Sequence, residues 1–261
     1  MSVREGNGSE WSETMKQGYD IFGKAYGVML RNDVHAPGSV DDMLVQNMIL
    51  LDADSCGPLY AEAGKCPDMK DHELYEFAQQ FRGADDKETI RKVLDCTAGI
   101  ALHYDVDFMD MHFGGTEKEI LQRETDWCAD MARVGAVLLQ CLGIPCRILQ
   151  LADLSRAYYG HVAGEAYYEG RFGVLDFIYG YQFYDGKPIS AWEILQNGDI
   201  LNGYPPEYTG YFSAVAVSEY DPTDKNNDYS VSGPNEYTRK IIYADHNGKW
   251  LMGEDEPREQ S

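Results

Sequence analysis

From Thr125 to Leu151 the chain reads TDWCADMARVGAVLLQCLGIPCRILQL, and its first half is a helix with almost no polar side. Ala129, Ala132, Ala136 and Leu139 line one flank, while Val134, Val137, Leu138 and Cys141 lie on others. A helix that is apolar nearly all round must be buried between other elements. Thr125 and Asp126 are capping residues just ahead of it. Gly143 ends it, and Pro145 cannot continue it. Whatever else the chain does, it has to wrap a core around this segment.

The two flanks of this helix differ in pattern. Helical periodicity dominates up to about residue 123: "EWSETMKQGYDIFGKAYGVML", "SVDDMLVQNMILL" (opened by Ser39 and two acids), "DHELYEFAQQF" and "DKETIRKVLDCTAGIALHY". Cys96 falls in the apolar stripe of the last, as packing. After residue 145 strand-like runs take over, and 14 of the 19 tyrosines lie between Tyr158 and Tyr243, a composition suited to a half-buried sheet. "CRILQL", "HVAGEAYY" and "RFGVLDFI" read as strands, "ISAWEILQN" as a helix, "SEYDPTDKNNDYSVSGPNE" as loop, and "KIIYAD" as a last strand. The order predicts an α+β fold, a buried central helix on an antiparallel sheet. Residues 11–120 form its helical part and 121–245 the core, in one compact domain, with tails at 1–10 and 246–261.

Charge and cysteine usage narrow the function. A net charge of −22 and a pI near 4.5 oppose phosphate and anionic membranes, and favour a cationic or amine-bearing ligand. No apolar run is long enough to span a bilayer or act as a secretory signal, which points to the cytosol, with the six cysteines as free thiols. Neither a CxxC pair nor a zinc-like Cys/His spacing occurs, and no metal or other cofactor is expected. Asp105, Asp107, Asp110 and His112 read as an acidic loop. "DPTDKNND" lacks the glycine and final glutamate of a calcium loop.

Three thiols sit on or beside the central helix. Cys128 is in its first turn, where unpaired amides and the positive dipole end stabilise a thiolate. Cys141 is in the last turn, where the dipole disfavours an anion, and Cys146 opens an apolar strand as a small hydrophobe. Further on, Glu169-Gly170 suits a two-residue hairpin turn, which pairs Tyr168 with Arg171 and Tyr167 with Phe172. In that register Asp176 lies opposite Ala163, so His161 and Asp176 project from one face as diagonal neighbours. A carboxylate on one ring nitrogen fixes the tautomer and leaves the other to accept a thiol proton. Cys128, His161 and Asp176 thus make up a nucleophile, a base and its orienter.

From Thr125 to about Gly180 the chain resembles the transglutaminase-like superfamily, whose core is similar to papain-type cysteine proteases. The matching features are Cys128 at the start of a buried helix, then "LGIPCRIL", His161 with Glu165 and Tyr167 at alternate positions, Phe172 where the family commonly has Trp, and Asp176 on the second strand. Two positions depart from the pattern. Ala163 stands where Trp is frequent, leaving room beside the histidine, and Phe177-Ile178 follows the aspartate in place of Pro-Thr.

The resemblance implies an acyl-thioester on Cys128, with His161 as general base and acid and Asp176 orienting it. The oxyanion would be held by the Cys128 amide together with Gln122, six residues upstream as in papain-like enzymes, or with the Trp127 indole. Tyr158, Tyr159, Ala163 and Tyr179, with Tyr181 and Tyr184, are candidate cleft residues. The acyl donor would be a peptide, a small amide or a carrier-bound thioester, and a cationic amine a fitting acceptor. The leading expectation is an amide-forming acyltransferase, with biosynthesis a plausible setting. A cysteine hydrolase with the same triad and a non-catalytic binding module are the alternatives.

Overall fold

The computed structural model describes residues 48–106, 112–153, 160–223 and 232–234. Strand β1 (Ile49–Leu50) and helix α1 (Cys56–Tyr60) lead to α2 (Tyr75–Ala78) with a 3-10 extension at Gln79–Phe81. Next come α3 (Asp86–His103), β2 (His112–Gly114), α4 (Glu117–Arg123) and the central helix α5 (Cys128–Cys141). Strands β3 (Cys146–Ala152), β4 (Gly160–Tyr168), β5 (Arg171–Asp176) and β6 (Tyr181–Gln182) come after it. The chain then forms α6 (Ala191–Gln196), a 3-10 turn at Gly198–Gly203, α7 (Glu207–Tyr211), β7 (Ala214–Ser218) and β8 (Ser232–Pro234).

The architecture is α+β. Six strands join in the order β1-β7-β3-β4-β5-β6, every pair antiparallel, and β2 pairs with β8 apart from them. Local chemistry sets the helix starts. Asp85 accepts the Glu88 amide to open α3, and Thr116–Glu119 and Ser190–Glu193 form capping boxes on α4 and α6. In α5 every residue from Ala129 to Cys141 is buried.

Four sequence expectations change. Trp127 holds the cap position of α5, and no side chain caps it, because the Thr125 hydroxyl accepts the Trp127 amide at 3.0 Å while Asp126 is exposed. Ile49 and Leu50, expected to close a helix, instead pair with Val217 and Ala216 at the edge of the sheet, which buries Leu50. Strand β7 went unforeseen, and Ser232–Pro234, expected as loop, pairs with His112–Gly114. The segment at residues 11–30, most of the Ser39 segment, "KIIYAD" and both tails lie outside the described residues.

Alternation along the strands divides the core between the two faces of the sheet. Val162, Ala166 and Tyr168 of β4 join Leu175 and Phe177 under α5, with α3 and α4 beyond. Ala163 joins Leu149, Leu151, Val174, Val215 and Val217 on the other face, covered by α6 and α7. Glycines on both the helix and the sheet make room there for the Phe177 ring. A Cβ on Gly135 of α5 would come within 2.1 Å of the Phe177 ring, and one on Gly164 of β4 within 2.6 Å of the same ring. Gly135→Ala should therefore destabilise the fold by about 1–3 kcal/mol despite alanine's better helix propensity, as overpacking of a dense core does. Thermal unfolding of the variant against wild type checks this, and an unchanged or raised midpoint would refute it.

Candidate active site

The hairpin turns where expected. Glu169 and Gly170 both have positive φ (50° and 78°), the conformation of a two-residue turn whose twist suits the flanking strands. The register pairs Tyr168 with Arg171, Tyr167 with Phe172 and Gly164 with Leu175. One step further places Asp176 level with Ala163, on the side that carries His161. There His161 Nε2 lies 2.7 Å from Asp176 Oδ2. An ionised carboxylate only accepts, so Nε2 carries the proton and Nδ1 is left for another partner.

The side chain of Cys128 also hydrogen-bonds to His161. Chain geometry brings the two to the same end of the sheet. After α5 the turn at 142–145 sends β3 back, and β4 runs antiparallel to β3, so α5 and β4 start at the same end of the sheet. They touch midway, through Phe177 between Gly135 and Gly164. From Gly135 back to Cys128 is about 10 Å at the helical rise, and from Gly164 back to His161 is about 10 Å at the strand rise. Thiol and imidazole therefore reach the same level at this end of the sheet.

Asp176 is fully buried and fully bonded. Its Oδ1 accepts the amides of Ile178 and Tyr179, each at 2.9 Å, and its Oδ2 accepts His161 and the hydroxyl of Tyr208. Burial opposes its ionisation, but the charge and hydrogen bond of His161, aided by the Tyr179 amide and the Tyr208 hydroxyl, hold it below the usual carboxylate value. Burial likewise opposes a charged His161. The Asp176 charge and hydrogen bond, with the Cys128 sulfur, outweigh that and push the ring up to about 10.

The remaining thiols have different surroundings. Burial pushes Cys66 and Cys96 up, takes Cys141 up to about 12 and raises Cys146 furthest. All six cysteines are free, and Cys128 is half-buried.

The other sequence candidates separate by position. Trp127 is half-buried next to Cys128, whereas Gln122 is exposed in the last turn of α4 and makes no hydrogen bond to Cys128, His161 or Asp176 among those described. Ala163 is buried in the cluster under α6 and α7. Tyr179 is 54% exposed with its ring 5.8 Å from that of His161, and Tyr181 stands 6.4 Å from Tyr179. Tyr184 belongs elsewhere: its hydroxyl donates to Glu169 at the hairpin turn and its ring carries Lys87, at the opposite end of β4 from His161. Tyr158 and Tyr159 lie outside the described residues, as do Asp107 and Asp110, while Asp105 and His112 are exposed. No cluster of three or more potential metal ligands occurs among the described residues.

Two residues of the site were not foreseen, Tyr208 and Tyr211 of α7. Tyr211 stacks on His161 at 5.1 Å between ring centres and 22° between planes. Pro205-Pro206 ahead of Glu207 was the available signal, since proline and an acid often open a helix that sets residues three apart on one face.

Two buried ionic groups hold the frame. Arg133, inside α5, donates to Glu117 at 2.9 Å and to the Gly115 carbonyl at 2.7 Å. Asp130, in the first turn of α5, accepts Arg123 at 2.6 Å and the Gly114 amide. Together they tie the start of the Cys128 helix to β2 and α4. Across the sheet, Glu165 receives both Nε and Nη2 of Arg147, at 3.0 and 2.6 Å, with the Tyr60 hydroxyl and the Ala191 amide on its other oxygen. This second group joins α1, β3, β4 and α6.

No protein-family model, characterised protein or solved structure matches the chain. Among the described residues no helix is long and apolar enough to cross a membrane.

Proposed function

We propose that the chain is a thiol-dependent acyltransferase of the transglutaminase-like kind, forming or exchanging an amide through an acyl-thioester on Cys128. The observation that carries this reading is the hydrogen-bonded series Cys128–His161–Asp176, with Asp176 on Nε2; the thiol is read as the partner of Nδ1. The Cys128 proton rests on His161 as imidazolium, and the thiolate sulfur bonds to the acyl carbon. The bond to the leaving group then breaks, and that group departs with the proton from His161. An amine next attacks the thioester and forms the new N–C bond. The C–S bond breaks, and the amine proton passes through His161 back to the sulfur. The Trp127 side chain does not cap α5, which suits the Cys128 amide to the developing oxyanion, and the Trp127 indole is the favoured second donor because it is half-buried next to Cys128 whereas Gln122 is exposed.

An amine acceptor is favoured over water by the net charge of −22 and by the aromatic surroundings of His161, which Tyr179, Tyr208 and Tyr211 supply. The test uses p-nitrophenyl acetate as a generic donor, with Cys128 followed by peptide mass mapping and products analysed with and without a primary diamine. Acetyl on Cys128 and acetylated diamine in the product are expected. Acetyl-Cys128 that yields only acetate would make the protein a cysteine hydrolase with the same triad. No acylation of Cys128 would leave a binding module.

A further inference from the structure

We infer that Tyr208 is a positioning residue of this site: its hydroxyl, bonded to the same Asp176 oxygen that receives His161, keeps the carboxylate an ionised acceptor aimed at the imidazole. The inference deepens the triad proposal and rests on it. A buried phenol needs a partner for its hydroxyl, and here the whole side chain is only 1% exposed. Its ring is set by Phe183 at 5.5 Å, Tyr204 at 6.0 Å and Tyr211 at 5.9 Å, all near edge-on, so packing directs the hydroxyl. The Oδ1 atom is already committed to two backbone amides. Without Tyr208, Oδ2 would depend on the moving imidazole alone. Tyr211, three residues on, stacks on the imidazole itself, so one short helix holds both the ring and the carboxylate.

The titratable groups facing this pair come from every packed element. They are Cys128 of α5, His161 of β4, Tyr179 and Tyr181 from the β5–β6 side, Tyr204 and Tyr211 around α7, and Asp153, whose carboxylate lies against Gly210. A hydroxyl donated to a carboxylate favours its charged form. Removing it lets Asp176 take up a proton at higher pH, and a neutral Asp176 no longer supports the imidazolium beside Cys128.

The experiment is the iodoacetamide alkylation rate of Cys128 from pH 3 to 9 in the full chain, for wild type, Tyr208→Phe, Asp176→Asn, the double variant and His161→Ala. Tyr208→Phe keeps the ring packing and should move the acid limb up by about 1 pH unit, with the rate at high pH unchanged. In the Asp176→Asn background it should move nothing further, because its effect passes through the carboxylate. A Tyr208→Phe profile that overlays wild type overturns the inference, as does an additional shift in the double variant. If wild-type Cys128 reactivity is insensitive to His161→Ala, the triad proposal itself fails and Tyr208 loses its role with it. Should Tyr208→Phe not fold, proton NMR of the wild-type protein decides the same question. The Tyr208 hydroxyl resonance should move when Cys128 is alkylated, and an unmoved resonance overturns the inference.

Discussion

With His161 replaced by alanine, Cys128 should be alkylated by iodoacetamide about 100-fold or more slowly at pH 6, the scale of loss when a positioned base is removed. The histidine sets the sign. A base pushed up to about 10 stays imidazolium through the neutral range and gives up its charge only as pH rises toward that value. An imidazolium beside a sulfur favours the reactive thiolate. Wild-type reactivity should therefore persist as pH falls from 9 to 6, whereas in His161→Ala it should fall away below the ordinary thiol range of about 8.5. Peptide mapping of limiting labelling reads all six sites at once. Cys66, Cys96, Cys141 and Cys146, each raised by burial, should label slowly in both proteins. Equal Cys128 rates at pH 6 in the two proteins would end the case for an assembled triad.

The largest effect on stability is expected at the ion pair across the sheet. Arg147 and Glu165 are both buried, and the guanidinium also donates to the Leu59 carbonyl and covers the Phe172 ring at 3.8 Å. Arg147→Met leaves the Glu165 charge buried with only neutral donors, at a cost of about 3–5 kcal/mol. For a chain of this size that lowers the unfolding midpoint by roughly 10 °C. Replacing both, as Arg147→Met with Glu165→Leu, should recover much of the loss, because no charge then remains uncompensated. Calorimetry of the three proteins decides it. A single variant as stable as wild type would show that the pair matters little.

The central helix and the hairpin were legible because strong local rules governed them. A segment apolar all round leaves few options, and Glu169-Gly170 fixes a register that carries Asp176 to His161. Strand β7 was missed because Ala214–Ser218 is buried on both faces and so has no polar alternation to reveal it. Ile49 and Leu50 continued a helical pattern and were claimed as strand only by the tertiary pairing with β7. The caps of α5 misled because Thr125 and Asp126 have the right chemistry two residues and one residue too early. Tyr208 and Tyr211 were hidden for a different reason. Their meaning depends on a contact with residues more than thirty positions away, which no local pattern announces.

Phe177 comes directly after Asp176 and lies between Gly135 and Gly164, on the elements that carry Cys128 and His161. It works as a shim. The separation of α5 from β4 at this point is the thickness of a phenyl ring, about 10 Å along the helix from Cys128 and along the strand from His161. The spacing of the Cys128 and His161 side chains is thus open to adjustment from the interior. On the proposed function, a thicker or thinner side chain at one apolar position would reset that spacing, with Cys128, His161 and Asp176 all left as they are.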